Sequence, residues 1–403
     1  MLSPQEAWSC ILAHCPVLLE TEVPLDDALG CVLAESVVAD RDQPPADRSS
    51  MDGFAVRMAD LAVLPTRLRM VGEVAAGSGA TPGVVPGTCV RIFTGANVPD
   101  DADTVVKVED TRVLNDDTIE VRSTDEHANI FKRGENAKQG DVLVARGQTL
   151  GAMHIAACAA AGRAHLRVRR RPRVAIITTG RELLEPGTKT ALHQERDSDG
   201  PMLKAALETA GFVVSSAHRV SDDATLIGNV LRDCLAQNDA IVLSGGVSMG
   251  NYDFVPAVVR NLNAKVLVHG VAMKPGKPFL FALAAGGACI FGLPGNPLSA
   301  ATGLHEFVLP ALRTMAGQAP LESRPLLHAK LRATIRTNPG REQFVLASLT
   351  WTEAGAEVEA LGTHSSADLA AGARADGAII VPAEVEGLAA GTRVAFRPWR
   401  SWP

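Results

Sequence analysis

The sequence predicts a multidomain α/β chain: a central doubly wound parallel-sheet domain joined to smaller β-rich domains. Three observations predict it. The chain has 403 residues, enough for several domains at roughly 100–200 residues each. Residues 174–316 alternate short apolar runs with amphipathic stretches, the pattern of strands joined by crossover helices. Two other regions, about 61–130 and from Pro325 onward, hold only short β-branched runs separated by Gly, Pro, Asn and Asp.

Taken in order, Ser3-Pro4-Gln5-Glu6 reads as a capping box with proline in the first turn. Trp8, Ile11, Leu12 and Cys15 continue a helical stripe. "RLRMVGEV", "GTCVRIFTG", "DTVVKVED" and "DTIEVRS" read as strands of a small β domain. "TLGAMHIAACAAAG" is alanine-rich and closes on Gly162, a helix with a glycine stop. The connector "RAHLRVRRRPR" carries six arginines; it reads as a solvated linker or strand edge, with an anion-guiding role as the alternative. "VAIITTG", "FVVSSAHRV", "DAIVLSGG", "KVLVHGVAM", "KPFLFAL" and "CIFGLPG" are the strands of the central sheet. "SDGPMLKAALETAG", "DATLIGNVLRDCLAQN" and "NPLSAATGLHEFVLPALRTMAG" are its helices. The divisions are 1–42 with 132–170 as a helical linking domain, 43–131 as a β domain, 171–318 as the α/β domain and 319–403 as a C-terminal β domain.

Composition narrows the function. A net charge of −6 and 4% aromatic residues, with Tyr252 the single tyrosine, argue against a nucleic-acid partner. The start, MLSPQEAWSC, lacks the charged and apolar regions of a signal peptide. No run approaches the ~18 apolar residues of a membrane span. Seven scattered cysteines with no CxxC fit a reducing cytoplasm better than a disulfide or zinc framework.

Chemistry collects at predicted strand ends, where open α/β sheets bind ligands. In "LSGGVSMGNYDF", Gly245 and Gly246 follow a buried strand. Glycines there let backbone N–H groups approach an anion, and a following helix start would add its positive end. Ser248 supplies a further donor. Asp253 makes sense beside a phosphate if a divalent cation lies between them. A glycine pair alone is equally compatible with a plain tight turn. "TTGREL" places Glu182 after another strand, and "VSDD" places Asp222 and Asp223 after a third. Singly, each reads as a helix cap; together they point to a metal–phosphate site. "MKPGKPF" fixes Lys274 and Lys277 in a rigid turn suited to an oxyanion. "GLPGNPLSA" forms another rigid corner, with Asn296 as a cap. Asp52 in "SMDGF" and Thr94 in "RIFTGANVP" lie on loops of the β domain.

These stretches, with "RGENAKQGDVL", resemble the MoeA family of molybdopterin molybdenumtransferases, to which the gephyrin E domain is similar. Seven motifs occur in the family's order across about residues 40–310. The α/β domain alone would also resemble the MogA-like adenylyltransferases and the CinA domain; "SMDGFAVR" with "FTGANVP" selects MoeA. The resemblance implies an elongated four-domain chain with a MogA-like central domain. It implies a cytoplasmic enzyme that inserts molybdate into adenylylated molybdopterin, with magnesium, and releases AMP. It implies a homodimer whose cleft is shared between subunits. Molybdopterin adenylyltransferase and recipient molybdoenzymes are the implied partners.

By the same resemblance, Gly245, Gly246, Ser248, Ser198, Pro294 and Asn296 would line the pterin-nucleotide pocket. Glu182, Asp253 and Asp222 or Asp223 would position the ion and nucleotide. Lys274 and Lys277 would hold molybdate or phosphates, and Asp52 and Thr94 would complete the site from the partner subunit. Three positions depart from the family pattern: Phe54 for a common tyrosine, Asn136 for an acid in some relatives, and Asp199 where the family often has asparagine. The alternatives are a molybdopterin-binding scaffold that has lost turnover and a relative acting as an adenylyltransferase.

Overall fold

The computed structural model describes residues 1–248, 250 and 253–400. Its central sheet has six strands: β1 (Arg173–Thr179), β2 (Val213–Val220), β3 (Ala240–Ser244), β4 (Lys265–His269), β5 (Leu280–Leu283) and β6 (Cys289–Leu293). Their order is β2-β1-β3-β6-β5-β4. The first four are parallel. β5 runs antiparallel to both neighbours, so the sheet is mixed rather than wholly parallel. The cause is local: Ala284 N donates to Ala288 O at 2.9 Å, closing a hairpin too short to hold a crossover helix.

β3 and β6 are buried at every position, as expected for strands covered on both faces. Helices Asp199–Thr209 and Leu309–Met315 pack on one face, and Ala224–Leu235 and Val255–Asn261 on the other. The N-terminal helix, Pro4–His14, has the full capping box: Glu6 N donates to Ser3 Oγ at 3.2 Å, and Ser3 N donates to Glu6 Oε2 at 2.7 Å. Its buried Ala7, Trp8 and Ile11 enter the central domain's core. The helix therefore docks on the α/β domain, away from residues 132–170, with which the sequence pattern grouped it.

The other linking segments pair and pack with one another. Glu20–Pro24 pairs with His165–Arg169, and Cys31, Leu33 and Val37 pack against Val144, Leu150 and Cys158. The arginine connector is a strand edge held by ion pairs, Arg169 to Glu20 at 3.2 Å and Arg170 to Asp239 at 2.8 Å. The β domain is a six-stranded mixed sheet whose strand Gly53–Val56 is buried throughout. Phe54 and Val56 face one core and Ala55 the other.

In the C-terminal domain the long strand Glu342–Thr352 pairs on both sides, with Gly355–Ala360 and with Gly377–Val381. Arg393–Pro398 and Leu327–Leu331 complete the circuit, giving a small closed barrel. Met273–Lys274 of the central domain pairs in parallel with Glu342–Gln343 of this barrel. A buried ion cluster adds to the junction: Glu306 accepts from Arg397 Nε at 2.8 Å and from Arg324 Nη2 at 2.7 Å. No helix among the described residues is long and apolar enough to cross a membrane.

Candidate functional site

The carboxyl ends of β2, β1, β3 and β6 open into a cleft of about 530 Å3. It lies at the point where strand order reverses between β1 and β3, the usual place for a ligand in an open α/β sheet. Thr178 and Thr179 end β1, Ser244 ends β3, and Gly295 and Asn296 follow β6. Gly245 and Gly246 turn the chain out of β3 with φ of +91° and +63°. A Cβ on Gly245 would stand 2.4 Å from Thr179 O, so only glycine permits the two strand ends to approach this closely.

Two helices aim their N-termini at the cleft. Ser198 precedes Asp199–Thr209 and Asn296 precedes Pro297–Gly303, and neither side chain makes a capping hydrogen bond. The amino-terminal N–H groups and helix dipoles thus favour an anion. Asn296 stands at the cap position its sequence predicts, yet its amide is not spent on capping. The helix that follows the glycine turn, Val255–Asn261, starts beside it: Val255 N donates to Gly246 O at 3.1 Å.

Carboxylates crowd the same cleft. Asp197 is buried and accepts from Thr178 Oγ1 at 2.7 Å and Gly200 N at 2.9 Å. Asp199 is also buried; its Oδ2 accepts from Ser244 Oγ, and its Oδ1 has no partner in the protein. Burial pushes the Asp199 carboxyl up to about 6, with the Ser244 hydrogen bond opposing and the Asp197 charge reinforcing the rise. Thr179 Oγ1 is a second buried polar atom without a partner. Glu182, Asp222 and Asp253 line the cleft as well. Asp222 accepts from Arg181 N at 3.3 Å, and Asp253 from Gly250 N at 2.6 Å.

A second cavity, about 540 Å3, adjoins the first through Asn296 and lies between the central domain and the barrel. Lys274 and Lys277 line it together with Arg336 and Arg341 from the barrel side. Four cations in one cavity make an oxyanion its natural occupant.

The comparisons with known proteins agree along the whole chain. The family models "MoeA N-terminal region (domain I and II)", "Probable molybdopterin binding domain" and "MoeA C-terminal region (domain IV)" match residues 2–162, 175–314 and 328–399. A protein of Staphylococcus aureus named molybdopterin molybdenumtransferase is 34% identical over 377 residues, 92% of this chain and 89% of that one. One of Staphylococcus epidermidis with the same name is 32% identical over 398 residues, 98% and 94% of the two chains. The chain belongs to the MoeA family of molybdenum cofactor biosynthesis transferases. A solved molybdopterin biosynthesis MoeA protein from Pyrococcus horikoshii superposes with a TM-score of 0.82 at 26% identity, covering 99% of this chain and 100% of that one.

Against the MoeA motifs, the structure sorts the predicted residues into three groups. Glu182, Ser198, Asp222, Gly245, Gly246, Asp253 and Asn296 line the first cleft. Lys274, Lys277 and Pro294 line the second cavity, again with Asn296. The remaining four lie elsewhere. Asp223 caps the helix Ala224–Leu235, accepting from Thr225 N at 2.8 Å and Leu226 N at 3.0 Å, and lines neither cavity. Ser248 is exposed and outside the cleft lining. Met249, Asn251 and Tyr252 of the same motif lie outside the described residues. Asp52 and Thr94 line neither cavity within one chain and instead hold each other: Thr94 N and Oγ1 donate to Asp52 Oδ1 at 2.8 and 2.7 Å. These bonds, the backbone one foremost, hold the Asp52 carboxyl below its ordinary value.

The sequence reading missed Asp197, Ser244, Arg336 and Arg341. Asp197 stands two positions before Asp199, with no local signal that the fold buries it. The two arginines carried no local signal, because the barrel brings them to the lysines only in three dimensions.

Proposed function

We propose that the chain inserts molybdate into adenylylated molybdopterin and releases AMP. The adjoining cavities support this reading most directly: a nucleotide-sized cleft over glycine and helix N-termini meets a cationic cavity at Asn296. In this reading the substrate's phosphates lie against Gly245, Gly246 and the N-terminus at Ser198. Lys274, Lys277, Arg336 and Arg341 hold molybdate, fixing it beside the pterin so that the reaction gains from proximity. The uncommitted Asn296 amide sits where both substrates meet and orients one against the other.

Among the described residues no three His, Cys, Asp or Glu side chains are grouped to hold a metal. In this reading a magnesium ion arrives with the substrate, since magnesium commonly takes one or two carboxylates plus phosphate oxygens. In this reading one or two of Glu182, Asp222 and Asp253 would hold it together with the substrate's phosphate oxygens. When bound, it would offset phosphate charge and polarise the phosphoanhydride. Asp52, presented by Thr94 on the β domain, completes the cleft of a second copy in a cytoplasmic homodimer. Upstream stands the adenylyltransferase that makes the substrate; downstream stand the molybdoenzymes that take the cofactor.

The test is AMP release from adenylylated molybdopterin with magnesium, with and without molybdate. Molybdate-dependent release with transferable cofactor is the expected result. Adenylate bound without release would make the chain a scaffold, and AMP transfer from ATP onto molybdopterin would make it an adenylyltransferase. Light scattering that returned a strict monomer would remove the shared cleft.

A further inference from the structure

The wall of the first cleft contains two aspartates two positions apart with opposite hydrogen-bond situations. Asp197 has both oxygens occupied by donors, Thr178 Oγ1 and Gly200 N. Asp199 has one donor, Ser244 Oγ, on Oδ2, and nothing on Oδ1. Asp199 is only 6% exposed. A buried carboxylate oxygen with no donor is costly, because the charge is desolvated without compensation. A neutral carboxyl with its proton on that oxygen carries no such charge and becomes a donor.

We propose that Asp199 is a specificity-determining residue of the cleft, held as a neutral carboxylic acid while the anionic ligand is bound, so that its buried, donor-less oxygen adds no negative charge to the wall that receives the ligand. The inference rests on the reading of this cleft as the substrate's phosphate-bearing site. An ionised Asp199 would repel such a ligand; a neutral one removes the repulsion. The titration behaviour of the site agrees, since burial and the Asp197 charge both favour the protonated form.

The other charged groups facing the cleft do not supply a counter-charge in its wall. Glu182, Glu195, Asp222 and Asp253 are anionic, and Arg196 is the one cation among the lining residues. Arg196 is exposed and its Nε donates to Thr188 O at 2.9 Å. β1 presents threonines here, and the helix start at Asn296 presents an amide. Ligand binding is therefore coupled to proton uptake at Asp199, and affinity falls as pH rises through the range in which this carboxyl ionises.

The experiment is titration calorimetry with AMP and magnesium on the full-length wild type and the isosteric Asp199→Asn, from pH 5.5 to 8.5. The ratio of wild-type to variant Kd cancels ionisation of the AMP phosphate and of the other carboxylates, which both proteins share. The inference expects this ratio to be level at the acid end and to climb about tenfold per pH unit once Asp199 ionises, the slope for one linked proton. In two buffers of different ionisation heat at pH 7.5, wild type should take up about one proton more per AMP than the variant. A ratio that stays flat, or that falls with pH, overturns the neutral-acid role while leaving the cleft a nucleotide site. No AMP binding to either protein overturns the reading of the cleft, and this inference with it. Should the variant not fold, proton uptake by wild type alone decides: none at pH 7.5, after allowance for the AMP phosphate, overturns the inference.

Discussion

Alanine at Gly245 puts a methyl group where the backbone leaves no room. Its Cβ would lie 2.4 Å from Thr179 O and 2.7 Å from Thr179 Oγ1, at a φ of +91°. Left-handed backbone costs a non-glycine residue about 1–2 kcal/mol, and forcing a carbon into a packed site about 1–3 kcal/mol. The loss therefore comes to about 2–5 kcal/mol. The clash is with main chain and not the tip of a flexible side chain, so β1 and β3 must part at their carboxyl ends, which are the cleft wall. Thermal unfolding read together with AMP binding measures both consequences. At about 2–4 °C per kcal/mol for a domain of this size, the α/β transition of Gly245→Ala should fall by about 4–20 °C, with weakened AMP binding. Gly286→Ala is the control: its Cβ would meet nothing within 4 Å, and the change should be near neutral. A Gly245→Ala protein with wild-type Tm and wild-type AMP affinity would refute the close-approach argument.

Other outcomes follow from the same geometry. The native state holds the Asp199 proton more tightly than the unfolded chain, with the carboxyl moved from 3.8 to about 6. Stability should then fall as pH rises from about 4 to about 6, and Asp199→Asn should exceed wild type by up to about 3 kcal/mol above that window and match it below; equal denaturation midpoints at pH 7.5 would contradict this. Glu306→Gln leaves Arg397 and Arg324 buried at the barrel junction without their shared carboxylate, and should cost about 3–5 kcal/mol in urea unfolding. Lys274→Ala and Lys277→Ala should raise the molybdate concentration needed for AMP release while leaving AMP affinity intact; an unchanged molybdate requirement would take the cationic cavity out of the reaction. Asp52→Ala should abolish cofactor formation with the fold retained. Asp52 and Thr94 are both exposed and their contact supports no core, so circular dichroism of this variant at pH 7 should match wild type.

Much of this protein was legible from local pattern. The Ser3–Glu6 box, the alternation over residues 174–316 and the glycine turn after β3 depend on periodicity, capping and backbone freedom, which neighbours in sequence decide. So does the placing of Glu182, Asp222, Gly245 and Asn296 at strand ends, since a strand's carboxyl end is a local fact and the sheet gathers such ends at one edge. Where a side chain spends its hydrogen bonds is not local. Asp222 and Asp223 are adjacent and look alike in sequence, yet Asp223 caps a helix and Asp222 faces the cleft. Asp197 and Asp199 differ only in which donors the folded sheet brings to them. The reversal of β5 came from a hairpin whose pairing the strand pattern did not encode. The union of Lys274 with Arg336 and Arg341 required the barrel to pair with Met273–Lys274. Burial and long-range pairing set charge and hydrogen-bond supply at these positions, and they exist only once the domains have closed on one another.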